Sequence, residues 1–394
     1  MRVAVFLEQD INVGGGFQQA YSVVDYIVRH PISGIEYVFF VSNKKNHEFL
    51  NNLGLENILI KQKFRCLLHR AVRKLLKISL GVLIPFQGYI DDILASRKID
   101  LVYFLTPSHY AMCLRKHNYI VTIWDLCHRD WVEFPEVRND LEFESREFLY
   151  RNILAKAVAV FVDAELSKGN MARRYGVDLE RIYVTSFFPF EFSDSKSSDA
   201  SDVSVCEKYS IKKPFIFYPA QFWHHKNHCY ILEAMALLRE NQPLEVVFVG
   251  NDYGYREFVE KRSKELGVDK RCHFLGFVPR VELESFYKNA LALVMPTYFG
   301  PTNIPPLEAF YWGCPVCYSD LPGLREQVGE AAFLMDLKDP NSLIEYIDII
   351  LQGGEIVLSK LNEGREKLKE FSGERYFETF SKVLINYKDL MKCE

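Results

Sequence analysis

Short apolar runs recur along this chain, each closed by a polar break and followed by a stretch whose apolar positions return every three or four residues. Apolar runs bounded by turn residues predict strands, and the three-to-four spacing predicts helices. Arg2 to Leu7, Ile35 to Val41, Leu101 to Phe104, Tyr119 to Trp124 and Val158 to Val162 form a first set of predicted strands. A second set begins at Pro214: Phe215 to Tyr218, Val246 to Val249, Cys272 to Leu275, Ala292 to Val294 and Val316 to Tyr318. Helical spacing covers Asn227 to Arg239, Arg256 to Leu266 and Arg280 to Asn289. Strand and helix in alternation predict parallel sheets covered on both faces, so the fold class is α/β with two doubly wound Rossmann-like domains.

Length agrees, because 394 residues exceed what one core usually organises. The best linker is Phe192 to Val205, whose serines and aspartates bury little. The expected organisation is a first domain over 1–191, a linker over 192–213, a second domain over 214–372 and a terminal helix over 373–394. That helix, Gly373 to Leu390, carries Tyr376, Phe377, Phe380, Val383, Leu384 and Tyr387 at helical spacing, the stripe of a domain-closing helix.

Composition changes little in this picture. The hydrophobic share is 48%, the charged share 25% and the aromatic share 14%, values of a folded chain with sizeable cores. A net charge of -4 carries no nucleic-acid signal. No apolar run approaches the ~18 residues of a membrane span, and Met1 to Gln9 reads as a strand and not a signal peptide, so a cytoplasmic protein is expected. Nine unpatterned cysteines then read as reduced thiols, Cys314 and Cys317 among them despite their CxxC spacing.

Candidate chemistry gathers where predicted strands end. Pro296 to Tyr318, PTYFGPTNIPPLEAFYWGCPVCY, reads as a strand end, a turn broken by Gly300 and Pro301, and a helix opened by Pro305 and Pro306. A helix that starts there directs unpaired amides at an anion such as a diphosphate, with the Glu308 carboxylate about a turn further in to accept sugar hydroxyls. Asp10 to Ala20, DINVGGGFQQA, is a second glycine-rich strand-to-helix turn. Phe217 to Asn227, FYPAQFWHHKN, places Lys226 after the first strand of the second set, and the neighbouring His224, His225 and His228 read as loop surface or phosphate contacts with no metal assigned. Asp125 and His128 follow the strand Tyr119 to Trp124, at a position where polar residues meet ligands; a polar loop is the alternative there. Asp163 to Lys168, DAELSK, reads as a helix cap.

Glu308, Ala309, Gly313, Pro315 and Val316 resemble the donor-binding motif of retaining GT-B glycosyltransferases, the broad family of glycogen synthases and bacterial mannosyltransferases. The resemblance implies a GT-B fold, two Rossmann-like domains facing a central cleft, and transfer of a sugar from a nucleotide sugar to a saccharide or lipid-linked acceptor; it also offers, beside the domain-closing reading, a terminal helix over 373–394 that crosses back to the first domain. It carries the donor phosphate onto Gly15 and Gly16, the diphosphate onto Lys226, the base onto the loops of Gly250 and Val278, and the ribose onto Glu308. Gln221, Thr302, Asn303 and Ile304 line the donor side by the same comparison, and Lys226, Asp125 and His128 take the catalytic positions. Two family residues are replaced: Gly300 stands where the motif has its first glutamate, and Gln221 where it has an arginine. No cofactor is implied beyond the donor itself, and without an Asp-x-Asp pair the leaving diphosphate must be neutralised by the protein. Bacterial surface-polysaccharide assembly is the implied setting. Residues 61–80, basic and amphipathic, offer contact with an anionic membrane or a solvated face over a core stripe. Two alternatives stand beside this: a sugar-nucleotide epimerase on the same fold, and a non-catalytic nucleotide-sugar-binding protein.

Overall fold

The computed structural model describes residues 1–10, 14–60, 89–188, 205–238, 242–300 and 302–393. The basic stretch 61–80 and most of the expected linker lie outside the described residues. The chain divides into two compact units, one made of Met1–Leu126, Glu144–Thr185 and Gly373–Glu394, the other of Cys127–Phe143 and Ser186–Ser372.

The first unit is built on seven parallel strands: β1 (Arg2–Leu7), β2 (Glu36–Val41), β3 (Asn57–Leu59), β4 (Leu101–Phe104), β5 (Asn118–Ile123), β6 (Ala159–Val162) and β7 (Ile182–Val184), in the order β3-β2-β1-β4-β5-β6-β7. Strands buried on both faces must be apolar throughout, and β4 and β6 are, as is β1 after Arg2. Phe6 stacks on Phe40 with ring centroids 5.1 Å apart, which locks β1 to β2 beside their shared register. The Gly373–Leu390 helix completes this unit by burying Tyr376, Phe380, Val383 and Leu384, with the Phe380 ring 5.2 Å from Tyr103. Its first residue must be glycine: a Cβ there would lie 2.3 Å from the Tyr26 ring.

Six parallel strands form the second unit: β8 (Phe215–Pro219), β9 (Glu245–Val249), β10 (Cys272–Leu275), β11 (Ala292–Met295), β12 (Val316–Ser319) and β13 (Phe333–Met335), in the order β10-β9-β8-β11-β12-β13. The strand order reverses direction between β1 and β4 in one sheet and between β8 and β11 in the other. Connections leave such a point toward opposite edges, so a crevice opens at the carboxyl ends of the two strands, and ligands of open α/β sheets bind there.

Candidate functional site

In the second unit the two loops at the switch point are Ala220–Asn227 after β8 and Pro296–Asn303 after β11. The first closes as a short 3-10 turn, His224–Lys226, and Asn227 then adopts the left-handed conformation (φ 52°) that turns the chain into the helix His228–Leu237. Asparagine tolerates that region better than most residues. The Tyr218 hydroxyl donates to the carbonyl of Lys226 at 2.7 Å, fixing the backbone on which the ammonium is carried. Lys226 Nζ in turn donates to Asn303 Oδ1 at 3.1 Å. Asn303 is the N-cap of the Ile304–Trp312 helix, which has proline in its first turn as the sequence requires, so the cation stands at a helix N-terminus.

Burial lowers the Lys226 pKa to about 8, against a smaller upward pull from Cys127 and Glu136. Such a lysine is stabilised by any anion that reaches it. A hydrogen bond from an ammonium to a phosphate oxygen contributes about 1.5 to 3 kcal/mol, more than the ~0.3 to 1 of a helix dipole. Further along the same helix Glu308 is buried and accepts from the Tyr287 hydroxyl at 2.8 Å. Burial and the Glu308 charge hold the Tyr287 phenol well above its usual range, so it stays a donor to the carboxylate.

The remaining expected site residues are placed as follows. Gln221 Oε1 accepts from Trp223 Nε1 at 3.1 Å, so the residue standing for the family arginine braces its own loop. Gly250 admits no side chain, because a Cβ would meet the carbonyl oxygen of Ala220 at 2.2 Å, and Val278 is buried in the core of this unit. Thr302 and Ile304 are buried at the helix start. In the first unit Gly15 lies in the first turn of the Gly14–Arg29 helix, and Gly16 is a packing glycine, since a Cβ would lie 2.7 Å from the Trp124 ring. Asp125 is ion-paired to Arg146 at 2.9 Å.

His128 belongs to a different unit from Asp125: the chain leaves the first unit after Leu126, and His128 is fully buried in the second, its ring 5.6 Å from Phe143. The expected cap at Asp163 to Lys168 is also different: Ala164 occupies the N-cap without a side-chain bond, and Ser167 donates to Asp163 at 2.8 Å. Of the histidine cluster, His224 is part-exposed, whereas His225 and His228 are buried. His225 is held through its ring Nδ1 and its backbone amide (2.8 Å) by the Glu136 carboxylate, and its ring stacks on Phe299 with centroids 3.8 Å apart. Burial pushes Glu136 up, but the bonds from His225 outweigh it and keep the carboxyl below its usual range. His228 lies stacked on Phe222 in an apolar pocket. Cys314 and Cys317 are free and buried, and burial raises both thiols, Cys314 to about 12, as inert structural cysteines require.

Sequence reasoning missed Glu136 and Tyr287, and also Glu8, which follows β1 and is raised to about 7 by burial against the hydrogen bond of Ser108. A buried carboxylate at a strand's carboxyl end was the available signal for Glu8; nothing in the sequence pairs Glu136 with a loop 89 residues away.

Residues 207–371 match the family described as glycosyl transferases group 1. The fold over the whole chain agrees: a glycosyltransferase of Rickettsia africae superposes with a TM-score of 0.72 at 13% identity, covering 100% of this chain and 99% of that one. The chain has the two-domain fold of these glycosyltransferases, and its residues 207–371 match the group 1 family. Anabaena HepE, solved with UDP and glucose, has the same fold, with a TM-score of 0.74 at 14% identity over 98% of this chain and 100% of that one. Among curated proteins, an uncharacterized glycosyltransferase of Methanocaldococcus jannaschii is 30% identical over 178 residues, 44% of this chain and 45% of the relative. The O-antigen chain mannosyltransferase B of Escherichia coli is 25% identical over 224 residues, 56% and 58% of the two chains. The chain thus spans about half the length of the curated relatives it matches.

Proposed function

We propose that this protein transfers a sugar, with retention of configuration and without a metal ion, from a nucleotide sugar to a hydroxyl of a glycan or lipid-linked acceptor in surface-polysaccharide assembly. The observation that carries the reading is Lys226, held at the switch point of the second sheet against the N-cap of the helix that bears Glu308. The diphosphate lies against Lys226 and the Ile304 amide at the start of that helix, where Pro305 and Pro306 have no N–H to give and the Asn303 amide is spent on Gln327, and Glu308 accepts from the ribose hydroxyls. As the glycosidic bond breaks, charge grows on the leaving phosphate oxygen, and a cation already in place stabilises it without reorganisation. The acceptor hydroxyl attacks from the face the phosphate leaves, so the protein contributes orientation and charge. O-antigen chain mannosyltransferases of Escherichia coli and Salmonella typhimurium among the relatives support the polysaccharide setting. HepE crystallised with UDP makes a uridine nucleotide the first donor to try.

Gly300 favours a second reading, binding without transfer, because no carboxylate stands where the family has its first glutamate. Thermal-shift measurements with UDP, GDP, ADP and dTDP select the base, and incubation with the corresponding nucleotide sugars and mass detection of products then separates transfer, rearrangement and binding alone. Transfer is the expected outcome. Lys226→Ala is expected to lower kcat about 10²- to 10³-fold, the usual cost of one donor to a developing anion; undiminished transfer would sink the mechanism.

A further inference from the structure

The side-chain amide of Asn303 has two ways round, and only one of them places its oxygen on Lys226. Which way it stands is determined by the hydrogen-bond polarity of its neighbours. The Asn303 backbone N–H donates to Gln327 Oε1 at 3.0 Å, and Gln327 Nε2 donates to the Asn303 carbonyl at 2.6 Å. This backbone pairing admits one orientation of the Gln327 amide. Gln327 Oε1 also accepts the Tyr318 hydroxyl proton at 3.1 Å, which leaves the phenolic oxygen to act as an acceptor. Asn303 Nδ2 fills that role at 2.6 Å and donates as well to the carbonyl of Gly300 at 2.7 Å. Oδ1 is what remains for Lys226. Tyr318 and Gln327 are buried, and Gly300 (φ 100°) has no side chain to contest the space, since a Cβ there would lie 3.1 Å from Asn303 Oδ1.

We infer that Tyr318 and Gln327 are positioning residues, fixing the Asn303 amide so that its oxygen faces Lys226 and its own hydrogen-bonding groups are spent within the protein. Asn303 thereby serves the cation and not the ligand, and a neutral acceptor leaves the lysine's charge for an anion where a carboxylate would cancel it. The inference deepens the proposed function and rests on it for its meaning in turnover, while its test does not need a nucleotide. Among the described residues, the charged and titratable groups around Lys226 are Cys127 and Glu136 from the Cys127–Phe143 segment, His225 and His228 beside it and the Tyr218 phenol on its carbonyl, and none of them is altered below.

Competitive acetylation with acetic anhydride, read by peptide mass spectrometry over roughly pH 6 to 10, gives the titration midpoint of Lys226 in the intact protein, with surface lysines as internal controls. Tyr318→Phe and Gln327→Leu release the amide and are expected to move the midpoint down by about half a pH unit or more; Asn303→Asp, which sets a carboxylate on the ammonium, is expected to move it up by about one unit. An unmoved midpoint in folded Tyr318→Phe or Gln327→Leu protein overturns the inference. Where both lose their fold, an unmoved midpoint in Asn303→Asp overturns it instead. A native protein that binds none of the four nucleoside diphosphates would defeat the proposed function and leave these shifts standing.

Discussion

Lys226 and His228, two positions apart, respond to pH in opposite ways, and both responses are measurable. Because burial brings Lys226 to about 8, the ammonium is present below that pH and lost above it. Activity with the donor, as kcat/KM, is therefore expected to hold level toward neutrality and fall about tenfold per unit above pH ~8, since that parameter reports the free enzyme. His228 is carried to about 3 by burial, with its neutral ring packed on Phe222. The unfolded chain binds the proton first, near the ordinary pKa of about 6.5, so this contribution to stability is complete above that value and shrinks by up to ~1.4 kcal/mol per unit below it. Urea melts between roughly pH 4 and 8 are expected to show a shallower acid loss in His228→Phe than in the native protein. Lys226 was legible because its neighbours in sequence mark a strand end and helix start. Glu136, Gln327 and Tyr318 were not, because polar groups 89, 24 and 15 residues from their partners leave no local pattern.

Elements were legible in proportion to their burial. The central strands read as unbroken apolar runs because helices cover both faces. The three strands missed, β3, β7 and β13, are three-residue strands at sheet edges, too short for periodicity and partly exposed. Helix contacts were equally silent. Gly364, in the Glu355–Leu368 helix, lies against Phe310 of the Glu308-bearing helix, and a Cβ would come within 2.6 Å of that buried ring. Gly364→Ala is expected to lower stability by about 1 to 3 kcal/mol through overpacking, as read from denaturant midpoints. An unchanged midpoint would show that the Phe310 ring yields freely.

The whole molecule owes its stability to two separate cores. Residues 373–394 fold with the first unit, the placement the family resemblance offers for the terminal helix, whereas 127–143 precede the expected boundary yet fold with the second. The excursion of 127–143 alters neither composition nor spacing, so tertiary packing alone decides it. Truncation after Ser372 removes Tyr376, Phe380, Val383 and Leu384 from the first core. Hydrogen exchange is expected to rise across β1 to β7 of the truncated protein and to stay unchanged across β8 to β13.

That shared ownership has a temporal side. A ribosome delivers the seven strands of the first unit long before it delivers Gly373–Leu390, whereas every segment of the second unit has been made by Ser372. During synthesis the second unit is the one able to reach its native core first, and the Tyr26, Tyr103 and Phe161 surfaces wait uncovered until the last helix emerges. The interval is an exposure to chaperones and to aggregation that the finished structure no longer shows.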